Sequence, residues 1–216
     1  LKPQNTRSYE LGADISFFNN LVSINYTYSR QNVKDQIFEV PLASSTGSSS
    51  FMTNGGKIHT NAHELTVNIN PIRLKNVDWN IGINWSKIDN YVDELAPGVE
   101  SIFLGGFTTP QVRAGIGDKF PVIYGVSYAR DDNGNLIVDE DGVPMAGKDD
   151  VIGKVSPDFI LGFNTNLRLW KFNISAVFDW KQGGQIYCGT NGLLDMYGVS
   201  KNTENREGSF IVEGVK

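Results

Sequence analysis

The sequence predicts an all-β fold, an antiparallel transmembrane β-barrel segment, on three observations. Six stretches alternate apolar and polar residues over about ten positions, they come in pairs joined by tight turns, and aromatic residues collect near their ends. A strand has a side-chain period of two, so strict alternation makes one apolar and one polar face. About 9 to 11 tilted residues cross a bilayer core, and only helices or closed barrels satisfy the backbone there.

The first stretch puts Tyr9, Leu11, Ala13, Ile15 and Phe17 on one face and Glu10, Gly12, Asp14 and Ser16 on the other. Asn19 and Asn20 follow, residues that tolerate left-handed backbone and favour a tight hairpin. The second carries Val22, Ile24, Tyr26 and Tyr28, then opens into a Ser/Gly-rich link of about thirty residues from Ser29 to His63. Within that link Gln36 to Val40 reads as a strand extension beyond the membrane. The third, Leu65, Val67 and Ile69, turns through NPIRLKNVD, where Pro71 belongs at a strand end because it has no N–H for the ladder. The fourth is Trp79, Ile81, Ile83 and Trp85, followed by about seventy residues rich in Gly, Pro and Asp, from Ser86 to Asp158. The fifth, Phe159, Leu161, Phe163, Leu167 and Leu169, turns around Lys171 into the sixth, Phe172, Ile174, Ala176, Phe178 and Trp180.

Outer-membrane barrels have short periplasmic turns and longer extracellular loops, so the three tight turns are expected in the periplasm and ligand contact in the long links. Phe17, Phe18, Trp79, Trp85, Trp170, Phe172 and Trp180 fit the aromatic girdle of a bilayer interface. The same alternation suits a soluble β-sandwich that buries its aromatic stripes against a second sheet. A passive porin is a further alternative, with the same strands and no plug.

With 216 residues, 40% hydrophobic and 20% charged, and a mean hydropathy of -0.25, the composition resembles that of a soluble protein. A barrel needs only every second strand residue to be apolar, so the average does not decide. No run reaches the roughly 18 apolar residues of a helical span. A net charge of -5 and a pI near 5.0 offer no basic face for nucleic acid. Cys188 is alone and reads as a free thiol. Without initiator Met, signal peptide or terminal strand signal, the chain is expected to be an internal fragment.

Catalysis is not expected. Glu10, Asp14, Glu64, Asp78 and Asp179 lie on polar strand faces, where they line a lumen rather than form an acid/base pair. His59 and His63 would be a metal pair on a helix, but on a strand they stand about 13 Å apart, so no metal or cofactor is expected. The run RDDNGNLIVDEDG imitates a calcium loop from Asp131, yet the twelfth position is Gly142 instead of a bidentate Glu. Two turns, at Asn133-Gly134 and Asp141-Gly142, flanking a strand Leu136 to Val138 are the preferred reading. Tyr124, Tyr128, Trp180 and Tyr187 lie in or beside the external links and are candidate substrate contacts, since sugar rings stack on aromatic faces. Packing of the loops on one another, or a place in the girdle, would use the same rings.

Several motifs in order carry a resemblance. LKPQNTRSYELG opens the chain, NGGKIHTNAHELTVNINPI and DWNIGINWSKIDNYVDEL follow, and then KFPVIYGV. VIGKVSPDFILGF, FDWKQGGQIY and KNTENREGSFIVEGV complete the series. Together they resemble the second half of the barrel of SusC/RagA-type TonB-dependent outer-membrane transporters, with Gln4 where that family usually has Glu. The resemblance implies that residues 1–216 are a partial barrel domain without plug, TonB box or terminal strands, supplying some eight strands of a 22-stranded barrel. It also implies a bacterial outer-membrane location in contact with lipid, and import of nutrient oligomers driven by TonB. The ligand would be an oligosaccharide or peptide, and a SusD-like surface lipoprotein the partner.

Overall fold

The computed structural model describes residues 1–42, 44–107, 109–208 and 211–216. Ala43 and Thr108 of the long links, and Ser209 and Phe210 of the last motif, lie outside the described residues.

All six alternating stretches are strands, and they form one antiparallel sheet. It contains β1 (Asn5–Phe17), β2 (Val22–Pro41), β3 (Ser50–Arg73), β4 (Val77–Glu94), β9 (Pro157–Leu169) and β10 (Phe172–Gly183), in that spatial order. A second sheet, β5 (Ser101–Gly106), β6 (Gln111–Gly115), β7 (Val122–Tyr128) and β8 (Ala146–Lys154), is built from the long link between β4 and β9. Six strands, not eight, make the barrel wall among the described residues, because the remaining alternation belongs to this second sheet.

The three tight turns share one edge. Phe18, Asn19 and Asn20 have φ of 54°, 53° and 64°, the left-handed region that asparagine tolerates best, and Trp170 opens the β9–β10 turn at φ 53°. Pro71 sits where the β3–β4 register shifts between Ile69 and Ile72, a bulge that asks no ladder hydrogen bond of it. Neighbouring turns are tied together, Asn70 N donating to Leu21 O at 2.7 Å and Trp170 N to Asn76 O at 2.7 Å.

The register aligns the apolar residues of all six strands. One row runs Ile15, Ile24, Val67, Ile83, Phe163, Phe178, and the next Ala13, Tyr26, Leu65, Trp85, Leu161, Trp180. Thr165 interrupts this face, but its hydroxyl accepts from Trp79 Nε1 at 2.9 Å, so both polar groups are satisfied away from water. Among the described residues no second sheet covers the face: Ile174 is 58% exposed and Phe178 64% exposed. That removes the sandwich alternative, which requires this stripe to be the core.

The first long link is shorter than the sequence suggests. β2 and β3 continue well past the apolar band, leaving a short connection with a 3-10 turn at Ser44–Thr46. The Gln36 to Val40 extension is thus part of β2. A bulge at Asp35, φ 55°, is pinned by Asn54 Nδ2, which donates at 2.8 Å to Asp35 O and at 2.8 Å to Lys2 O. Among the described residues, the buried core cluster lies beyond the membrane band, where Val92, Leu95, Ile102 and Ala114 pack with Phe38, Val99 and Phe120. The second sheet docks there through the bridge Tyr91–Lys119 and the bonds Phe120 N to Asn90 O (2.9 Å) and Gly117 N to Val92 O (2.8 Å). After β10 comes a short helix, α1 (Gly189–Met196), none of whose residues is buried; no helix among the described residues is long and apolar enough to cross a membrane.

Candidate functional site

The polar side of the six-stranded sheet is as continuous as the apolar one. Its rows run Asp14, Asn25, Thr66, Asn84, Gly162, Asp179 and Ser16, Ser23, Asn68, Gly82, Asn164, Val177. Two open cavities lie on this face. One, of about 370 Å³, is lined by Asn25, Glu64, Thr66, Asn84, Ser86 and Asp179; the other, of about 250 Å³, by Ser23, Asn68, Arg73, Asn80 and Asn164. Asn84 Oδ1 accepts from Thr66 Oγ1 at 3.1 Å and Asn80 Nδ2 donates to Asp78 Oδ1 at 2.7 Å, which fixes how the amides present themselves. Side-chain amides offer both donors and acceptors without charge, so this wall can hydrogen-bond hydroxyl or amide groups of a passing solute. Sequence alternation identifies the face, but not that asparagine dominates it at the level of the turns.

Of the wall's carboxylates, Glu64 and Asp179 line one open cavity, while Asp14 stands apart from them. Asp14 and Asp179 occupy opposite ends of one six-strand row, about 24 Å apart along the sheet at the usual strand spacing, beyond reach of a shared proton.

The four candidate rings fall in three different settings. Tyr124 lies half-buried on β7 with the Arg113 guanidinium over its ring, 4.5 Å from the centroid, and its hydroxyl donates to Asp149 O at 3.1 Å. Tyr128, at the far end of β7, is 62% exposed and lines an open groove with Val126, Arg130 and Pro144. Tyr187 is exposed between β10 and α1. Trp180 stands in the apolar row beside Leu161 and packs edge-on to Phe159, 5.5 Å between centroids. This is the apolar face, the girdle setting that the sequence also offers for the ring, whereas the three tyrosines lie outside the six-stranded sheet. Period two already places Trp180 on that face, with Ile174, Ala176 and Phe178.

The other motifs also resolve. Asp131 Oδ1 accepts from Asn133 N (3.0 Å) and Asn135 N (2.8 Å), and Asp139 Oδ1 from Asp141 N (3.0 Å) and Val143 N (2.8 Å). These are two consecutive Asx turns, with Gly134 and Gly142 at φ 86° and 80°; each Oδ1 accepts from two backbone N–H groups, and Asp131 Oδ2 accepts from Asn135 Nδ2 at 3.0 Å. His59 Nδ1 meets Asp93 Oδ1 at 2.7 Å and His63 Nδ1 meets the Tyr26 hydroxyl at 2.8 Å, so each histidine has its own partner.

An ion-pair cluster missed by motif reading holds the two sheets together. Asp89, on the part of β4 beyond the membrane band, pairs with Lys119 and lies 3.6 Å from Lys87. Burial opposes ionisation of Asp89, but the hydrogen bond and charge of Lys119, with Lys87, outweigh it and hold the carboxyl below its ordinary range. The same contact raises Lys119 above the ordinary lysine value. Asp89→Asn is expected to lower stability by about 1.5 kcal/mol at neutral pH, the low end for charged hydrogen bonds. A depressed folded pKa contributes stability above the unfolded value and loses it as pH falls through the folded one, so the gap between the two proteins closes below about pH 4. Melting curves of both between pH 3 and 7 check this.

Comparison with known proteins gives a consistent result. Residues 1–193 match the family described as TonB dependent receptor-like, beta-barrel. Among curated proteins, TonB-dependent receptor P3 of Formosa agariphila is 26% identical over 86% of the chain, and TonB-dependent receptor P26 of the same organism 28% identical over 85%. The chain spans 21% of the length of each. Among solved structures, "Structure of the RagAB peptide transporter" superposes with a TM-score of 0.68 at 19% identity, covering 83% of this chain and 21% of that one. "Structure of the RagAB peptide importer in the 'open-open' state" gives 0.66 at 19% identity, over 83% and 20%.

Proposed function

The chain belongs to the TonB-dependent receptor-like β-barrel family, a family of outer-membrane receptors and transporters rather than enzymes, and from that premise we propose that its parent is an energised importer of nutrient oligomers. The observation that carries the reading is the sheet itself, apolar on one side and polar on the other across six registered strands. One side is lipid-facing and the other forms part of a lumen wall. Residues 1–216 are then a partial barrel domain, and the plug and TonB box belong to other parts of the parent. The cargo is an oligosaccharide or a peptide, because the amides of the wall suit neutral hydroxyl and peptide groups equally. Tyr124, Tyr128 and Tyr187 are the rings offered to it outside the membrane. A SusD-like lipoprotein is the proposed partner on the outer surface.

The test is uptake of labelled oligosaccharides and peptides by cells carrying the full-length protein. Uptake that collapses when the proton gradient is dissipated or TonB is removed is the expected result. Uptake indifferent to both would make the parent a passive porin.

A further inference from the structure

Three cations stand together on the lipid-facing side of a chain whose net charge is -5. Arg7 on β1 is paired with Asn32 on β2, and the residues two before and two after Asn32 on β2 are Arg30 and Lys34. These are diagonal neighbours of Arg7 across the ladder, within about 7–8 Å and on the same face of the sheet. That face is the apolar one, because Arg7 continues the series Phe17, Ile15, Ala13, Leu11, Tyr9 and Arg30 continues Val22, Ile24, Tyr26, Tyr28. All three are exposed, and among the described residues none is in an ion pair; Arg30 Nε makes a 3.4 Å contact with Asn32 Oδ1. Asp89, the carboxylate in the row of Arg30, is two strands away and held by Lys119 and Lys87, while Asp93 faces His59. Arg7, Lys34, Tyr9 and Asn32 border an open groove of about 430 Å³.

Their height matters as much as their charge. The ten steps from Phe17, at the turn edge, to Arg7 rise about 25 Å at about 3.3 Å per residue and a tilt near 40°, the height of an outer-membrane barrel's apolar band. The cations therefore stand at the outer boundary of the bilayer, Arg30 level with Tyr9 and Arg7 and Lys34 beyond it, where an outer-leaflet headgroup meets the wall. We propose that Arg7, Arg30 and Lys34 form a docking site for the phosphate-bearing headgroup of an outer-leaflet glycolipid, with its acyl chains lying along Leu11 and Ile15. Charge complementarity selects this occupant: an anionic headgroup offers a counter-charge to three adjacent like charges, and a neutral headgroup does not. The proposal rests on the outer-membrane barrel assignment.

Binding of detergent-dispersed phosphorylated lipid A to purified full-length protein tests it, with the dephosphorylated lipid and inorganic phosphate as comparison probes. Near an anionic lipid surface each Lys or Arg is worth about fivefold in affinity, so R7Q/R30Q/K34Q should weaken binding more than about tenfold. Lys181→Gln, on the polar face, should leave it unchanged. The unaltered protein should prefer phosphorylated to dephosphorylated lipid, a comparison that holds even if the triple variant assembles poorly. Equal binding of the two lipids, equal binding by unaltered and triple-variant protein, or displacement by millimolar inorganic phosphate overturns the site. The folded fraction of the barrel, read separately by its resistance to unfolding in detergent at room temperature, reports on the barrel assignment itself.

Discussion

Ile83→Arg destabilises the assembled barrel by about 2–4 kcal/mol, the cost of an arginine on the lipid face near mid-membrane. Ile83 occupies the central apolar row between Val67 and Phe163, a row with no polar residue on any of the six strands. Its neighbour Asn84 points to the opposite side, into the open cavity shared with Glu64 and Asp179. There an arginine reaches water and carboxylates, so Asn84→Arg is tolerated within about 0.5 kcal/mol. Ile81→Arg and Asn80→Arg, one row nearer the turns, repeat the contrast more weakly because the cost falls toward the interface. Chemical unfolding of the full-length protein in lipid vesicles measures all four.

Gly55→Val costs about 3 kcal/mol, the upper end for overpacking. A Cβ on Gly55 would lie 2.7 Å from Ala96 Cα and 2.8 Å from Ala96 Cβ, a backbone position that cannot swing aside. Ala96 follows β4 at the edge of the core made by Val92 and Leu95, so the displacement spreads into the outer sheet. Gly105→Ala, with nothing within 4 Å of its Cβ and an ordinary backbone, serves as the tolerated control. Limited proteolysis should release the segment between β4 and β9 from Gly55→Val and spare it in Gly105→Ala.

The membrane-spanning strands are legible because one physical demand, lipid on one side and water on the other, writes itself into every second residue. Tyr9 to Phe17 and Phe172 to Trp180 could be read residue by residue, and Asn19-Asn20 marks its turn. Above the bilayer that demand ends. The outer reaches of β2 and β3 have polar neighbours on both sides, so Ser29 to His63 reads as a loop although nearly all of it is strand. The outer sheet was hidden for a related reason. Its core draws Val92, Leu95, Ile102 and Ala114 from separate short pieces, none long enough to show a period. NGG at 54–56 was visible as a motif, but its purpose, close packing at Ala96 and the Asn54 tie to Lys2 and Asp35, needed the fold. Candidate rings chosen by residue type group Trp180, on the apolar face, with three tyrosines outside the sheet; only the register separates the two settings.

The most direct test of the two-faced wall is a scan of single cysteines along Trp79 to Ser86 in the full-length protein in bilayers, with Cys188 replaced by serine and each thiol carrying a spin label. Labels at 79, 81, 83 and 85 should relax with oxygen, which partitions into lipid, and those at 80, 82, 84 and 86 with a water-soluble nickel complex. Absence of that alternation, or water accessibility at all eight positions, would contradict the barrel account.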